Sequence, residues 1–272
     1  MVDKKVTICA FIHYSKMDIL PYYAEIYIHQ LAKHFDKIKV LTNNPNINKQ
    51  DYFNDENIEF IHLENKGYDF GMFYRYFLME DFTNVSQLGL VNDSNILLNE
   101  LDNVFRWGNE NHFDFWGIID SNEKPWFSDC TNCYHLQSHF LVFNRQTLNF
   151  LPEFFGTLNI DEIFEETDAK KLRRLVIDKW EIGLTRFLNQ KGLTPGSYIR
   201  SDKLHLKYKQ KKQNLTHSIY YELVSEGYPL LKKKVILGEK SFLKLKRKNW
   251  KKTIDDFGND NWDFKRILNS VH

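Results

Sequence analysis

No run of about 18 consecutive apolar residues occurs in the chain, so no segment is expected to cross a bilayer as a helix. Cysteine is scarce, with three among 272 residues. An odd, small count is not a disulfide framework, and a reducing cytoplasm is the expected compartment. Proline and glycine are also sparse, at 6 and 12 residues, and they form no linker, repeat or low-complexity stretch. Neither sign of charge prevails: 37 Lys and Arg face 36 Asp and Glu, for a formal net charge of +1. That balance says nothing about nucleic acid; the lysines could attract it, but no nucleic-acid module is recognisable, so no nucleic-acid partner is expected. Residues 1–5 pass directly into a short apolar run that includes His13. The run is too short and too polar for a secretory core, so no signal segment is expected.

What the chain does contain is an ordered alternation of elements. Residues 6–12, 38–42, 58–63, 88–91, 113–119 and 139–143 are short apolar or β-branched runs that read as strands. Between the early ones, residues 20–35 and 70–79 carry helical patterns. Strand, helix, strand, helix, strand predicts a mostly parallel sheet covered on both faces, an α/β fold. In such sheets ligands bind beyond the carboxyl ends of the strands, which directs attention to residues 13–15, 43–45, 65–71, 92–94 and 120–139. After Pro152 the pattern is mainly helical. A stripe of Leu172, Leu175, Val176, Trp180, Leu184 and Leu188 predicts a helix over 169–190, with a break or kink near Gly183, and Gly192 and Pro195-Gly196 as terminators. From Lys203 onward the chain is rich in lysine. Aromatic residues make up 15% of the whole, which suits ring stacking on sugars or bases and equally an ordinary aromatic core.

Four segments could carry chemistry. In Asn65-Lys66-Gly67-Tyr68-Asp69-Phe70-Gly71, Gly67 and Gly71 flank an acid between a strand and a helix. Such a loop lets backbone amides approach an anion, or it is a turn that Asp69 caps. In Asn92-Asp93-Ser94, Asp93 follows a central strand, where a carboxylate can hold Mg²⁺, Mn²⁺ or a ribose hydroxyl, or can close an Asx-turn. In Trp180-Glu181-Ile182-Gly183-Leu184-Thr185-Arg186, an acid lies among apolar residues, where it must be paired or used; a salt bridge is the plainer reading. In Tyr134-His135-Leu136-Gln137-Ser138-His139, His135 and Gln137 offer contacts to hydroxyls. Cys130 and Cys133 nearby have CxxC spacing, but no second ligand pair accompanies them and they open no thioredoxin-like helix, so neither zinc nor redox chemistry is expected.

These four segments, with Asp114-Phe115-Trp116-Gly117, residues 139–143 and Gly227-Tyr228-Pro229-Leu230-Leu231-Lys232, resemble in content and order the rhamnan synthesis protein F family. The resemblance spans roughly residues 6–236. It implies a glycosyltransferase that builds rhamnose-containing and related bacterial surface polysaccharides. A more distant similarity is to GT-A glycosyltransferases, in which an Asp-x-Asp motif follows the central strand and a Glu-Asp motif on a helix supplies the base. By that similarity Glu181 is the catalytic base of an inverting transfer. Asp93 stands where Asp-x-Asp belongs, with Asn92 and Ser94 in place of the outer carboxylates. It would therefore hold a divalent cation alone, or the nucleotide with no metal. Arg186, the amides around Gly67 and Gly71, or that metal would stabilise the leaving diphosphate, and substrate hydroxyls would meet Asp69, His135 and Gln137. Trp116 and Trp126 are candidates for stacking on a sugar, or else belong to the core.

The expected organisation is a GT-A-like catalytic domain over 1–200 and a basic, mainly helical extension over 201–272. The expected partners are a nucleotide-sugar donor and a saccharide or lipid-linked saccharide acceptor. The lysines of 203–252 would add peripheral attraction to the inner, anionic face of the cytoplasmic membrane, or would be a plain solvated face. Two rivals stand beside this reading. One is a sugar-phosphate phosphotransferase, which lacks support because no Walker loop or paired acidic metal cluster is visible. The other is a non-catalytic carbohydrate-binding or assembly subunit with a degenerate transferase fold.

Overall fold

The computed structural model describes residues 5–210, 214–238 and 250–271. Its central sheet has the order β3-β2-β1-β4-β8-β6-β7, with β9 added beside β6. The strands are β1 (Val6–His13), β2 (Lys37–Thr42), β3 (Ile58–His62), β4 (Val85–Asn92), β6 (Phe115–Ser121), β7 (His135–Leu136), β8 (Phe140–Asn144) and β9 (Pro195–Ile199). Strands β1 to β4 run parallel, β8 is antiparallel to both β4 and β6, and β9 is parallel to β6. The expected α/β class, a mostly parallel sheet flanked by helices, is the class observed. A separate two-stranded ladder joins β5 (Asn95–Leu97) to β10 (Leu230–Lys232).

The two faces of the sheet follow from strand periodicity. Successive strand residues point to opposite sides, so one strand feeds two cores. In β1, Ile8, Ala10 and Ile12 join one apolar cluster, while Cys9 and Phe11 join the other. The first cluster is completed by helix α2 (Tyr68–Met79) and by Trp180, Leu184 and Leu188. The second is completed by α1 (Tyr22–Leu31), α3 (Asp102–Glu110) and residues from the C-terminal part, including Leu204, Tyr228, Trp250 and Ile267. Burying large side chains at ~25 cal/mol per Å² is what holds these layers together.

Two sequence expectations change. The helix over 169–190 does not break at Gly183. It runs as α-helix Ala169–Leu175, a π-helical segment Val176–Ile182, and α-helix Gly183–Gln190. The hydrogen-bond register widens from i+4 to i+5, a change that a hydrophobic stripe does not reveal. Gly192, at φ 79°, does follow the helix end, but Pro195-Gly196 opens β9 rather than a loop. Proline is admissible there because it is the first residue of a strand that pairs on one side only, with β6. Much of the lysine-rich stretch, including Lys211, Lys212, Lys244, Lys246 and Lys248, lies outside the described residues.

Candidate functional site

A cleft of about 550 Å³ opens at the carboxyl ends of β1 and β4. Asp69, Asn92, Asp93, Ser94 and Glu181 all line it. Three segments from distant parts of the sequence meet there, and each is held by a local reason.

The first is the start of α2. Gly67 has φ 84°, a left-handed conformation that glycine adopts without a steric penalty. Tyr68 follows at φ 55°, and its hydroxyl donates to the Ala169 carbonyl at 3.1 Å. At Gly71 an added Cβ would stand 1.7 Å from the Lys66 carbonyl oxygen, so nothing larger fits. This turn delivers Asp69. The Phe70 amide donates to its Oδ1 at 3.0 Å, and Asn92 Nδ2 donates to its Oδ2 at 2.7 Å. Burial pushes the Asp69 carboxyl up from its ordinary range; the Asn92 bond opposes this, and the negative Glu181 adds to it.

The second is the turn after β4. Asn92 Oδ1 accepts from Ser94 N and Oγ at 3.2 and 2.6 Å. Asp93 Oδ2 accepts from Tyr23 Oη and Lys233 Nζ, both at 2.9 Å. Lys233 also donates to Tyr23 Oη at 2.6 Å, closing a triangle. The side chains of Asp93 and Lys233 are only 12% and 15% exposed, so this is a largely desolvated ion pair. His13 Nε2 lies 4.0 Å from the same carboxylate oxygen, and burial pushes its imidazole down toward the neutral form.

The third is the π-helical segment. Trp180 points into the core, packing on Phe70 and Phe73 of α2 with ring centroids 5.2 and 5.4 Å away. Its neighbour Glu181 faces the cleft, where Ser138 N and Oγ donate to Oε1 at 2.9 and 3.2 Å. Thr185 Oγ1 accepts from the Leu136 amide at 3.2 Å, fastening the same helix to β7. Glu181 has no ion pair among the described residues, so the plainer salt-bridge reading does not describe it. The shared aromatic packing ties Asp69 and Glu181 to one rigid body.

Other expected site residues lie elsewhere. Gly67 and Gly71 shape the loop behind Asp69. Trp116 is 0% exposed, enclosed by Phe105, Trp107 and Phe140, and has no face left for a sugar. His135 is buried in β7, its ring Nδ1 2.7 Å from the Cys133 carbonyl. Gln137 is buried, with Nε2 donating to Asn214 Oδ1 at 3.5 Å. Arg186 is exposed and borders a different depression, with Lys171, Arg174 and Asp178. Trp126 is 80% exposed and stacks under the Arg174 guanidinium at 4.5 Å, away from the cleft.

Two features escaped the sequence reading. Cys130 and Cys133 form a disulfide that closes a tight loop and packs with Ile182, where the cysteine count points to no disulfide framework and a reducing compartment. The CxxC spacing was its signal. The second is Lys232, which lines the cleft, as does Arg173. Burial pushes the Lys232 ammonium down from the usual lysine range, with Glu181 and Asp69 opposing this. Lys232 ends the Gly227–Lys232 run, and that run was its only sequence signal.

The cleft does not fit a resident divalent cation. Such ions need several oxygen ligands. Asp93 Oδ2 already accepts from an ammonium and a phenol, and Asp69 is tied to Asn92. No group of three or more His, Cys, Asp or Glu among the described residues could hold a metal. What the arrangement offers is two carboxylates oriented by neutral donors, beside two cations. No helix among the described residues is long and apolar enough to cross a membrane.

Comparison with known proteins places this geometry in context. The sequence model of the rhamnan synthesis protein F family matches residues 40–253, more than three-quarters of the chain. Two curated sequences of Vibrio anguillarum, each named Virulence protein VirA, are 29% identical over 208 residues, covering 65% of this chain and 62% of theirs. The chain thus spans about three-fifths of the length of these relatives. Among solved structures, the glycosyltransferase GlyE of Streptococcus pneumoniae aligns with TM-score 0.45 and 13% identity, over 97% of this chain and 62% of that one. The 4-diphosphocytidyl-2C-methyl-D-erythritol synthase of Anaerococcus prevotii aligns with TM-score 0.41 and 12% identity, over 73% and 90%.

Proposed function

This chain belongs to the rhamnan synthesis protein F family, and we propose that it transfers a sugar from a nucleotide-sugar donor to a saccharide acceptor, with Glu181 as the base. The observation that carries this reading is the convergence of Asp69, Asn92, Asp93 and Glu181 on one cleft at the strand ends. The reaction is an inverting displacement. The acceptor hydroxyl oxygen forms a bond to the anomeric carbon from the face opposite the leaving group. The bond from that carbon to the phosphate oxygen breaks, and the nucleoside diphosphate departs with the electron pair. The acceptor's proton passes to the Glu181 carboxylate. Ser138 fixes Oε1 through two hydrogen bonds and so aims the group without neutralising it. A positioned base of this kind contributes ~10²–10⁴-fold.

Asp69 and Asn92 form a coupled pair of acceptor and donor suited to sugar or ribose hydroxyls. Rhamnose is the sugar that the family's name suggests, and a growing surface polysaccharide the acceptor. A lipid-linked acceptor at the inner membrane face belongs to the same proposal, supported by the lysine content of residues 203–252. Pelleting with anionic vesicles at low salt tests that part, and absence of binding would end it.

The main test is Glu181→Gln, assayed with UDP-, GDP- and dTDP-sugars against saccharide acceptors. Transfer should fall ~10²–10⁴-fold, while nucleoside diphosphate affinity stays within about twofold. Undiminished transfer would remove Glu181 from the reaction.

A further inference from the structure

We infer that the cleft binds the donor's diphosphate without a divalent cation, through the ammonium of Lys232, and that Asp93 anchors the strand that brings Lys232 there. This rests on the transferase reading above and adds how its leaving group is held.

The argument begins with β10. It pairs antiparallel with β5, placing Lys232 opposite Asn95, and the Lys233 amide donates to the Ser94 carbonyl at 3.0 Å. The ladder therefore lays two consecutive lysines against the Asn92-Asp93-Ser94 turn. Lys232 ends β10 and Lys233 opens the short helix Lys233–Leu237 that follows, so the two side chains leave the chain in different directions. Lys233 goes to Asp93 and Tyr23, and Lys232 lines the cleft with Asp69 and Glu181.

The two lysines are not equivalent. Lys233 is consumed: its charge is matched by Asp93, and its ammonium lies 4.6 Å from the centroid of the Tyr23 ring. Lys232 makes no ion pair among the described residues, although it lies in the field of two carboxylates. A diphosphate leaving group gains negative charge as its bond to the sugar breaks, and a preplaced cation in a water-poor cleft stabilises that charge strongly. A divalent ion could do the same only with oxygen ligands to hold it. Here Asp93 Oδ2 is engaged by Lys233 and Tyr23, which fastens the end of β10. Arg173, at the exposed rim of the same cleft, is the second cation within reach of the ligand.

The test uses the full chain and inorganic pyrophosphate as probe, by titration calorimetry in EDTA. Saturable binding is expected in EDTA. Lys232→Met should weaken it at least tenfold, and Lys232→Arg should hold it within about threefold, which separates charge from folding. Binding seen only after Mg²⁺ is added, no binding in either condition, or an unaffected Lys232→Met would each overturn the inference. The transferase reading fails separately. If pyrophosphate binds as described and no nucleotide-sugar supports transfer, the phosphate site stands and the reaction falls. If transfer occurs but stops in EDTA and returns with Mg²⁺, the reaction stands and the metal-free site falls.

Discussion

Asp69 and Asp93 line the same cleft and live in opposite electrostatic surroundings. Asp93 faces an ammonium and a phenol, so its charge is balanced within the fold. Asp69 accepts from an amide side chain and a backbone amide, and the negative Glu181 also acts on it. The region around Asp93 is a clamp, joining β1, α1, the β4 turn and β10. The region around Asp69 and Glu181 holds in place, by packing of Trp180 on Phe70 and Phe73, two carboxylates that make no ion pair among the described residues. Charge that is satisfied stabilises; charge that is held unsatisfied is available for chemistry, at a cost in stability.

The contrast makes the two aspartates respond differently to substitution. Asp93→Ala strands the Lys233 ammonium in a largely desolvated place. Breaking such a pair costs about 3 kcal/mol or more, read as a drop in the urea midpoint with unchanged slope. The double variant Asp93→Leu, Lys233→Met should recover most of that loss. If it does not, the pair is not what fastens β10.

Asp69→Asn should act in the other direction on stability. Burial raises the Asp69 carboxyl above its ordinary value of 3.8. The protonated form is then favoured by folding, so Asp69 contributes most below that value, and its contribution is lost as pH rises through the raised one. At neutral pH the uncharged replacement should therefore add about 1 kcal/mol of stability while transfer falls. The gain should shrink as the pH is lowered through the raised value toward 3.8. A Tm difference independent of pH would remove the electrostatic explanation. The smallest effect belongs to an outward pair: Lys33→Ala breaks the exposed contact to Glu100 at 3.3 Å and should change stability by less than about 0.5 kcal/mol. A larger value would blur the distinction between clamped and solvated charge.

The sheet was legible in the sequence because its longer strands are short runs rich in apolar and β-branched residues: residues 6–12, 38–42 and 58–63 became β1, β2 and β3 almost unchanged. The two strands of three residues, β5 and β10, were not, since three residues carry no period. The Asp93–Lys233 pair was not, because 140 positions separate its partners and nothing local records their meeting. Trp116 looked available because aromatic residues serve sugars and cores alike, and only packing around it decides which. Glu181 was legible as an acid among apolar neighbours, but the π-helical register that turns it toward the cleft while Trp180 turns inward was not.

The most direct test is the position of a bound nucleoside diphosphate. A crystal structure of the full chain grown with UDP or GDP in EDTA should place the diphosphate against Lys232 and the Asn92-Asp93-Ser94 turn, with the open side of the terminal phosphate toward Glu181. A nucleotide seated instead in the depression beside Arg186, or one whose phosphates lie far from Lys232 and Glu181, would contradict the account.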